Sequence, residues 1–404
     1  MASARLFAPL RSSDYRKLWI AQLVSVMGDK VHQIALSVLV YKLTGSVAQV
    51  GAMLAMTTLP AVLFGVPAGV FVDRWDRRAT MVVSDVLRAG IVLAIPSLVR
   101  VGMPAVYAAA FCVATVSLFF EPARLSLIPE VVPEDQLMAA NSLDNVTASA
   151  SELLGLAGAA GVVAAIGSDK AFYFDAATFA VSAGFVAMIV HRGRAAEKRL
   201  AEPFLAELRR GLAHIAETRV LRELVGVYSL AAAGVAAAIL AVNGLALQRF
   251  GTGPVDSRAV ELALLDGAIT VGLLVGSATI GQSAPDSAGR KFLGSLTVFG
   301  LAFVLVAFAR GIWTAVPLLF IGGAANMWFY VPGATIVQRA SRADLRGRVF
   351  AAKNALSRMA TTVGFFGAGI LAERLGLQST VLLIGTVVVL VSAFGWTRSA
   401  LREA

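Results

Sequence analysis

The chain of 404 residues is 58% hydrophobic and only 15% charged, with a mean hydropathy of +0.77, which excludes a soluble globular domain, where about a quarter of residues are charged. Its formal net charge of +10 does not point to nucleic acid, because no polar domain exists to present a basic face. Cys112 is the single cysteine, so an internal disulfide and a cysteine-rich metal site are both excluded.

Met1 to Trp19 carries Arg5, Arg11, Arg16 and Lys17 and lacks a small-residue cleavage site behind a short apolar core. It reads as the flank of a first membrane helix and not as a removed signal peptide. A span needs about 20 apolar residues, and apolar length between charges predicts twelve spans, at 15–42, 47–73, 79–100, 103–124, 136–167, 170–191, 220–249, 258–281, 291–310, 312–338, 346–373 and 378–398. The expectation is an all-α integral membrane protein with two pseudo-symmetric six-helix bundles, residues 1–191 and 220–404, joined by a polar linker at 192–219. With both termini inside, the inner loops hold 24 Lys and Arg against seven in the outer loops. That asymmetry predicts a multi-pass protein of the cytoplasmic membrane with cytoplasmic termini.

Ionisable residues at membrane depth cost about 2.5–3.5 kcal/mol each on insertion scales, so each is a functional candidate. In span 1, Asp29 is followed by Lys30 and has His32 and Gln33 on its helical face at i+3 and i+4; it is the leading proton or substrate site. Arg88 in span 3 reads as the partner of Asp85 one turn earlier. Glu152 lies near the centre of span 5 among Gly155, Gly158 and Gly161. Apolar surroundings favour the protonated form of a carboxylate, which suits a proton carrier, and the glycines suit close helix packing.

In the linker, Phe204, Leu205, Leu208, Leu212 and Ile215 recur with a helical period, predicting an amphipathic helix on the inner membrane face. Asp266 in span 8 is the carboxylate candidate of the second half. Trp328 and Tyr330, with Lys30, His32 and Gln33, are candidates to line a substrate cavity, and Lys353 and Arg358 in span 11 to neutralise a carboxylate such as Asp73 or Asp144, or to draw an anionic head group. Phe120-Glu-Pro-Ala-Arg-Leu and Tyr330-Val-Pro-Gly-Ala-Thr superpose at an offset of 210 residues, as two related halves require.

Between spans 2 and 3, Gly69-Val-Phe-Val-Asp-Arg-Trp-Asp-Arg-Arg has the form G-x-x-x-D-R-x-x-R-R and resembles the signature loop of the major facilitator superfamily of secondary transporters. The resemblance implies that Asp73 caps a neighbouring helix and pairs with cations to latch the outward-facing state, with Arg74, Arg77 and Arg78 as the basic part. The family usually has glycine where this chain has Asp76, and the second-half counterpart, Gly281 to Lys291, is degenerate. The stretch from Phe119 to Leu143, with Gly28-Asp29 and Leu39 to Ser46, is similar to a narrower branch that includes the enterobactin exporter, macrolide efflux proteins and the lysophospholipid transporter. Glu121, Arg124, Asp144, Lys353 and Arg358 then join the signature loop as a cytoplasmic gate.

No G-x-x-x-x-G-K-[ST], H-E-x-x-H or G-x-S-x-G motif occurs, so ATP hydrolysis and common hydrolase chemistry lack their parts. Three dispersed histidines make no metal cluster. The expectation is a monomer without cofactor or metal, not an enzyme, that exports a lipophilic or amphiphilic small molecule against inward proton flow. The alternatives are a lysophospholipid flippase and a non-transporting receptor or scaffold.

Overall fold

A computed structural model describes residues 7–72, 75–191, 204–251, 253–282 and 287–404. Asp73, Arg74 and most of the polar part of the linker lie outside these residues, as does the centre of the degenerate second loop. The major helices are α1 (Ser13–Thr44), α2 (Val47–Val72), α3 (Arg77–Leu98), α4 (Met103–Val131), α5 (Leu137–Ile166), α6 (Ser168–Ala187), α7 (Phe204–Glu217), α8 (Arg219–Gly244), α9 (Ala259–Ile280), α10 (Ala288–Ala307), α11 (Ile312–Ala340), α12 (Arg346–Leu375) and α13 (Leu377–Trp396).

Eleven of these, all but α6 and α7, are long and apolar enough to cross a membrane. Helix α6 spans 20 residues and takes the place of the sixth span, but Asp169, Lys170 and Asp175 make it less apolar than the rest. The protein is thus an all-α membrane protein of twelve spanning helices, six on each side of the short helix α7. The chain divides into two compact units, residues 1–42 with 59–200 and residues 43–58 with 201–404. The first part of α2 goes with the second unit because its small residues Ala48 and Gly51 lie against Gly369, Phe365 and Leu240.

The two halves repeat in detail. Helices α4, α5 and α6 have 29, 30 and 20 residues, and so do α11, α12 and α13. Their starts recur at an offset of 209, one less than the motif alignment, which is anchored on Pro122 and Pro332 inside α4 and α11. The same register places Gly167 (φ +84°) between α5 and α6 and Gly376 (φ +78°) between α12 and α13. A backbone angle of that sign is open to glycine and strained for other residues, so each antiparallel pair turns on a single-residue joint.

Local chemistry explains the start of α3. Asp76 adopts an extended conformation and its carboxylate accepts from the Ala79 amide at 2.7 Å, satisfying one of the free donors at the helix start. The residue that departs from the glycine of the signature loop therefore acts as a helix cap. The core of the first unit lies next to it, built from Tyr15, Leu18, Met81, Phe120, Leu127 and Val186.

Helix α7 forms as its period predicts, but it docks on protein: Gly211 lies against the Arg348 carbonyl of α12 and Ile215 is buried. Leu212 stays 38% exposed, so only part of the apolar face is left for a membrane surface.

Candidate functional site

Three helices of the first unit bring five ionisable side chains together. On α3, Asp85 and Arg88 are one turn apart and form a salt bridge. The Asp85 carboxylate is fully sealed, and the Ser182 hydroxyl of α6 donates to it at 2.7 Å. Arg88 is clamped between aromatic faces, its guanidinium carbon 4.6 Å from the centre of the Phe120 ring and 4.3 Å from that of Phe179. A second guanidinium nitrogen stands 4.0 Å from Asp29 of α1. One turn further along α1, His32 Nδ1 lies 3.0 Å from Asp175 Oδ2 of α6, a carboxylate with no exposed surface.

Charge decides what this cluster can do. Three carboxylates face one permanent cation, and His32 carries at most one more charge. In spans where each unneutralised charge is costly, that imbalance makes the cluster the leading candidate for a functional site. The site is also graded in access: Asp85 and Asp175 are sealed, whereas the Asp29 side chain is 48% exposed. Asp29 is therefore the least enclosed of the three carboxylates, and Arg88 lies between it and the sealed Asp85.

The other sequence candidates fall in several places. Lys30 Nζ pairs with Glu152 Oε1 at 2.8 Å, and the Glu152 side chain is 42% exposed. This corrects the expectation of an apolar setting for Glu152, since its neighbour on α1 is a lysine. Gly155 does pack on α1, against Met27 and Lys30, but Gly158 and Gly161 have nothing within reach of an added methyl group. Gln33 is exposed.

Near the start of α1 in this unit, Arg124 is almost sealed and holds Glu121 through two hydrogen bonds (3.0 and 2.7 Å) and Asp144 through two more (2.5 and 3.1 Å). Arg77 pairs with Glu130 of α4, which His191 also approaches at 3.2 Å, and Arg78 donates to the Ala187 carbonyl. Arg77, Arg78, Glu121, Arg124 and Asp144 are thus all engaged inside one unit.

In the second unit, Lys353 is 3% exposed. No carboxylate of the described residues lies within ion-pair distance of it; its ammonium sits 3.7 Å from the centre of the Tyr228 ring and 5.4 Å from that of Tyr330. Its sequence-predicted partner Asp144 is held by Arg124. Desolvating an ammonium costs several kcal/mol, and a buried cation–π contact returns about 2 kcal/mol. Lys353→Met is therefore expected to stabilise the protein by about 1–2 kcal/mol, read as a raised unfolding midpoint, while weakening transport.

Trp328 and Tyr330 do not line one cavity. Two positions on a helix are turned about 200° apart, and Trp328 donates to Thr279 at 2.9 Å beside a groove between α10 and α11, while Tyr330 faces Lys353. Asp266 is partly buried on α9, and Arg358 is exposed on α12.

Asp175 was the residue that sequence reasoning missed, and Arg88 was taken for a local partner only. Both carried the same signal as Asp29, an ionisable side chain inside an apolar span.

The family described as "Transmembrane secretion effector" matches residues 4–404. The chain belongs to the major facilitator superfamily. Superfamily members with curated descriptions resemble it along nearly their whole length. The multidrug efflux pump Tap of Mycolicibacterium fortuitum is 27% identical, with 95% of each chain covered. Macrolide efflux protein A of Streptococcus pyogenes is 25% identical, with 93% of each covered. The crystal structure of the nucleoside transporter NupG superposes with a TM-score of 0.79 at 12% identity, over 95% of this chain and 98% of that one, a likeness of fold alone. The superfamily fold makes the chain a membrane transporter and not an enzyme, and the network around Arg88 is its most highly charged buried site among the described residues.

Proposed function

We propose that the protein is a proton-coupled exporter of lipophilic or amphiphilic small molecules, working by alternating access in the cytoplasmic membrane as a monomer with both termini inside. The observation that carries the reading is the excess of carboxylates around Arg88. A transporter gains from such a cluster because each bound proton changes the charge that the helices must accommodate, whereas a scaffold gains nothing from its insertion cost. Similarity to multidrug and macrolide efflux proteins supports export and a lipophilic cargo, and the Lys and Arg asymmetry supports the orientation. Asp29 is the entry point for protons, with Asp266 the carboxylate of the second half. The Arg124 triad, Arg77 and Arg78 brace the inner end of the first unit, and Asp73, Arg74, Lys353 and Arg358 are the remaining gate candidates.

A lysophospholipid cargo is favoured less, because Lys30, whose ammonium could receive an anionic head, is held by Glu152. Vesicles containing the purified protein decide between the readings. A pH gradient should drive macrolide accumulation that a protonophore abolishes. Macrolide flux unaffected by the protonophore, or flux of lysolipid alone, would sink the proposal.

A further inference from the structure

We propose that His32 and Asp175 form a second proton-binding site in the first unit, distinct from Asp29 and loaded as an imidazolium–carboxylate pair. This rests on the proton-coupled reading and gives it a second proton.

The close approach of the two residues favours a proton on the imidazole. His32 Nδ1 and Asp175 Oδ2 are 3.0 Å apart, and two lone pairs would repel at that distance. Both atoms are sealed, and neither has a hydrogen-bond partner among the described residues, so the contact between them is one of charge at ion-pair distance. The setting then decides the second ring nitrogen. The Thr178 hydroxyl donates to the Asp175 carbonyl at 2.7 Å and stands 3.4 Å from the other carboxylate oxygen, a neutral contact that leaves the charge in place. With a neutral imidazole the pair would retain a full negative charge in an apolar span, the arrangement that costs most. A protonated imidazole makes it neutral overall.

The surrounding charges cannot substitute. On α1, Lys30 is bound to Glu152 of α5. On α3, Arg88 is bound to Asp85 and lies near Asp29, with no ion pair to Asp175. Helix α4 contributes the Phe120 ring to Arg88, and on α6 the Phe172 ring meets His32 edge-on at 5.7 Å. His32 is therefore the one cation within ion-pair distance of Asp175 among the described residues. Asp29 precedes His32 by three residues, on the same helical face, and is the accessible carboxylate through which a proton reaches the sealed pair.

Nitrogen-15 NMR of histidine-labelled full-length protein in lipid nanodiscs reads the imidazole directly. The chain has three histidines, so the His32 signal is the one that disappears in His32→Gln. Both ring nitrogens of His32 should be protonated at neutral pH, and one of them should lose its proton in Asp175→Asn. A neutral His32 in the unmodified protein overturns the proposal. In vesicles, the proton-to-substrate ratio from reversal potentials should fall by one in Asp175→Asn, or in His32→Gln should the first variant fold poorly; an unchanged ratio overturns it as well. Transport indifferent to pH gradients in the unmodified protein would instead defeat the broader coupling reading, while the NMR result would still report whether the pair holds its proton.

Discussion

Replacing Arg88 by leucine should lower the stability of the protein by about 3–5 kcal/mol, the usual loss when one partner of a buried ion pair is removed. The reason lies in what remains. Asp85 has no exposed surface, and among the described residues Ser182 would be left as its partner, a single hydroxyl against a full charge. The substitution also removes the cation from between Phe120 and Phe179, worth about 2 kcal/mol where water is excluded. Removing Asp85 in the same chain should restore most of the loss, because the pair is then replaced by apolar groups of similar volume. Asp29 tolerates the change better, since its nearest contact to Arg88 is a long one of 4.0 Å. Unfolding midpoints of Arg88→Leu, Asp85→Leu and the double variant in one detergent test this. A double variant no more stable than Arg88→Leu would show that the loss does not come from leaving the Asp85 charge unpaired.

Asp29→Asn should reduce gradient-driven efflux to the level of protein-free vesicles while leaving the protein folded and able to bind its cargo. The amide keeps the shape of the side chain but cannot take up and release a proton, and the exposed position of Asp29 means that little folding energy depends on its charge. Glu152→Gln provides the contrast. Its carboxylate is engaged with Lys30 in a partly exposed pair, so its loss should weaken transport without abolishing gradient dependence. Efflux from both variants and drug binding to each, measured on the same preparations, give the comparison. Full gradient-driven efflux in Asp29→Asn would remove it from the proton path.

Much of this architecture could be read from the chain. The spans follow from apolar length, the paired halves from a repeated motif, and the Asp85–Arg88 pair from a spacing of three on a helix. What could not be read is which distant helices meet. Lys30 and Glu152 were each recognised as unusual, yet their contact joins α1 to α5 and no local pattern encodes it. His32 was assigned to the face of Asp29 on helical spacing, but its partner proved to be Asp175, hidden in a Phe-rich segment of α6. Lys353 was expected to find a carboxylate and found two tyrosine rings, on α8 and α11, because a ring face attracts a cation as readily as it packs against lipid. Trp328 and Tyr330 looked alike in composition and were separated by helix geometry alone.

The polarity of α6 also bears on how the chain enters the bilayer. Among the described residues this helix alone of the twelve falls short of a continuous apolar stretch fit to cross a membrane, and a carboxylate such as Asp175 near its middle disfavours partition into lipid by about 2.5–3.5 kcal/mol. It leaves the ribosome after α1 and α3, whose His32, Asp85 and Arg88 await it. Insertion of α6 is therefore expected to depend on helices already at the translocon, which would tie the charged site to biogenesis.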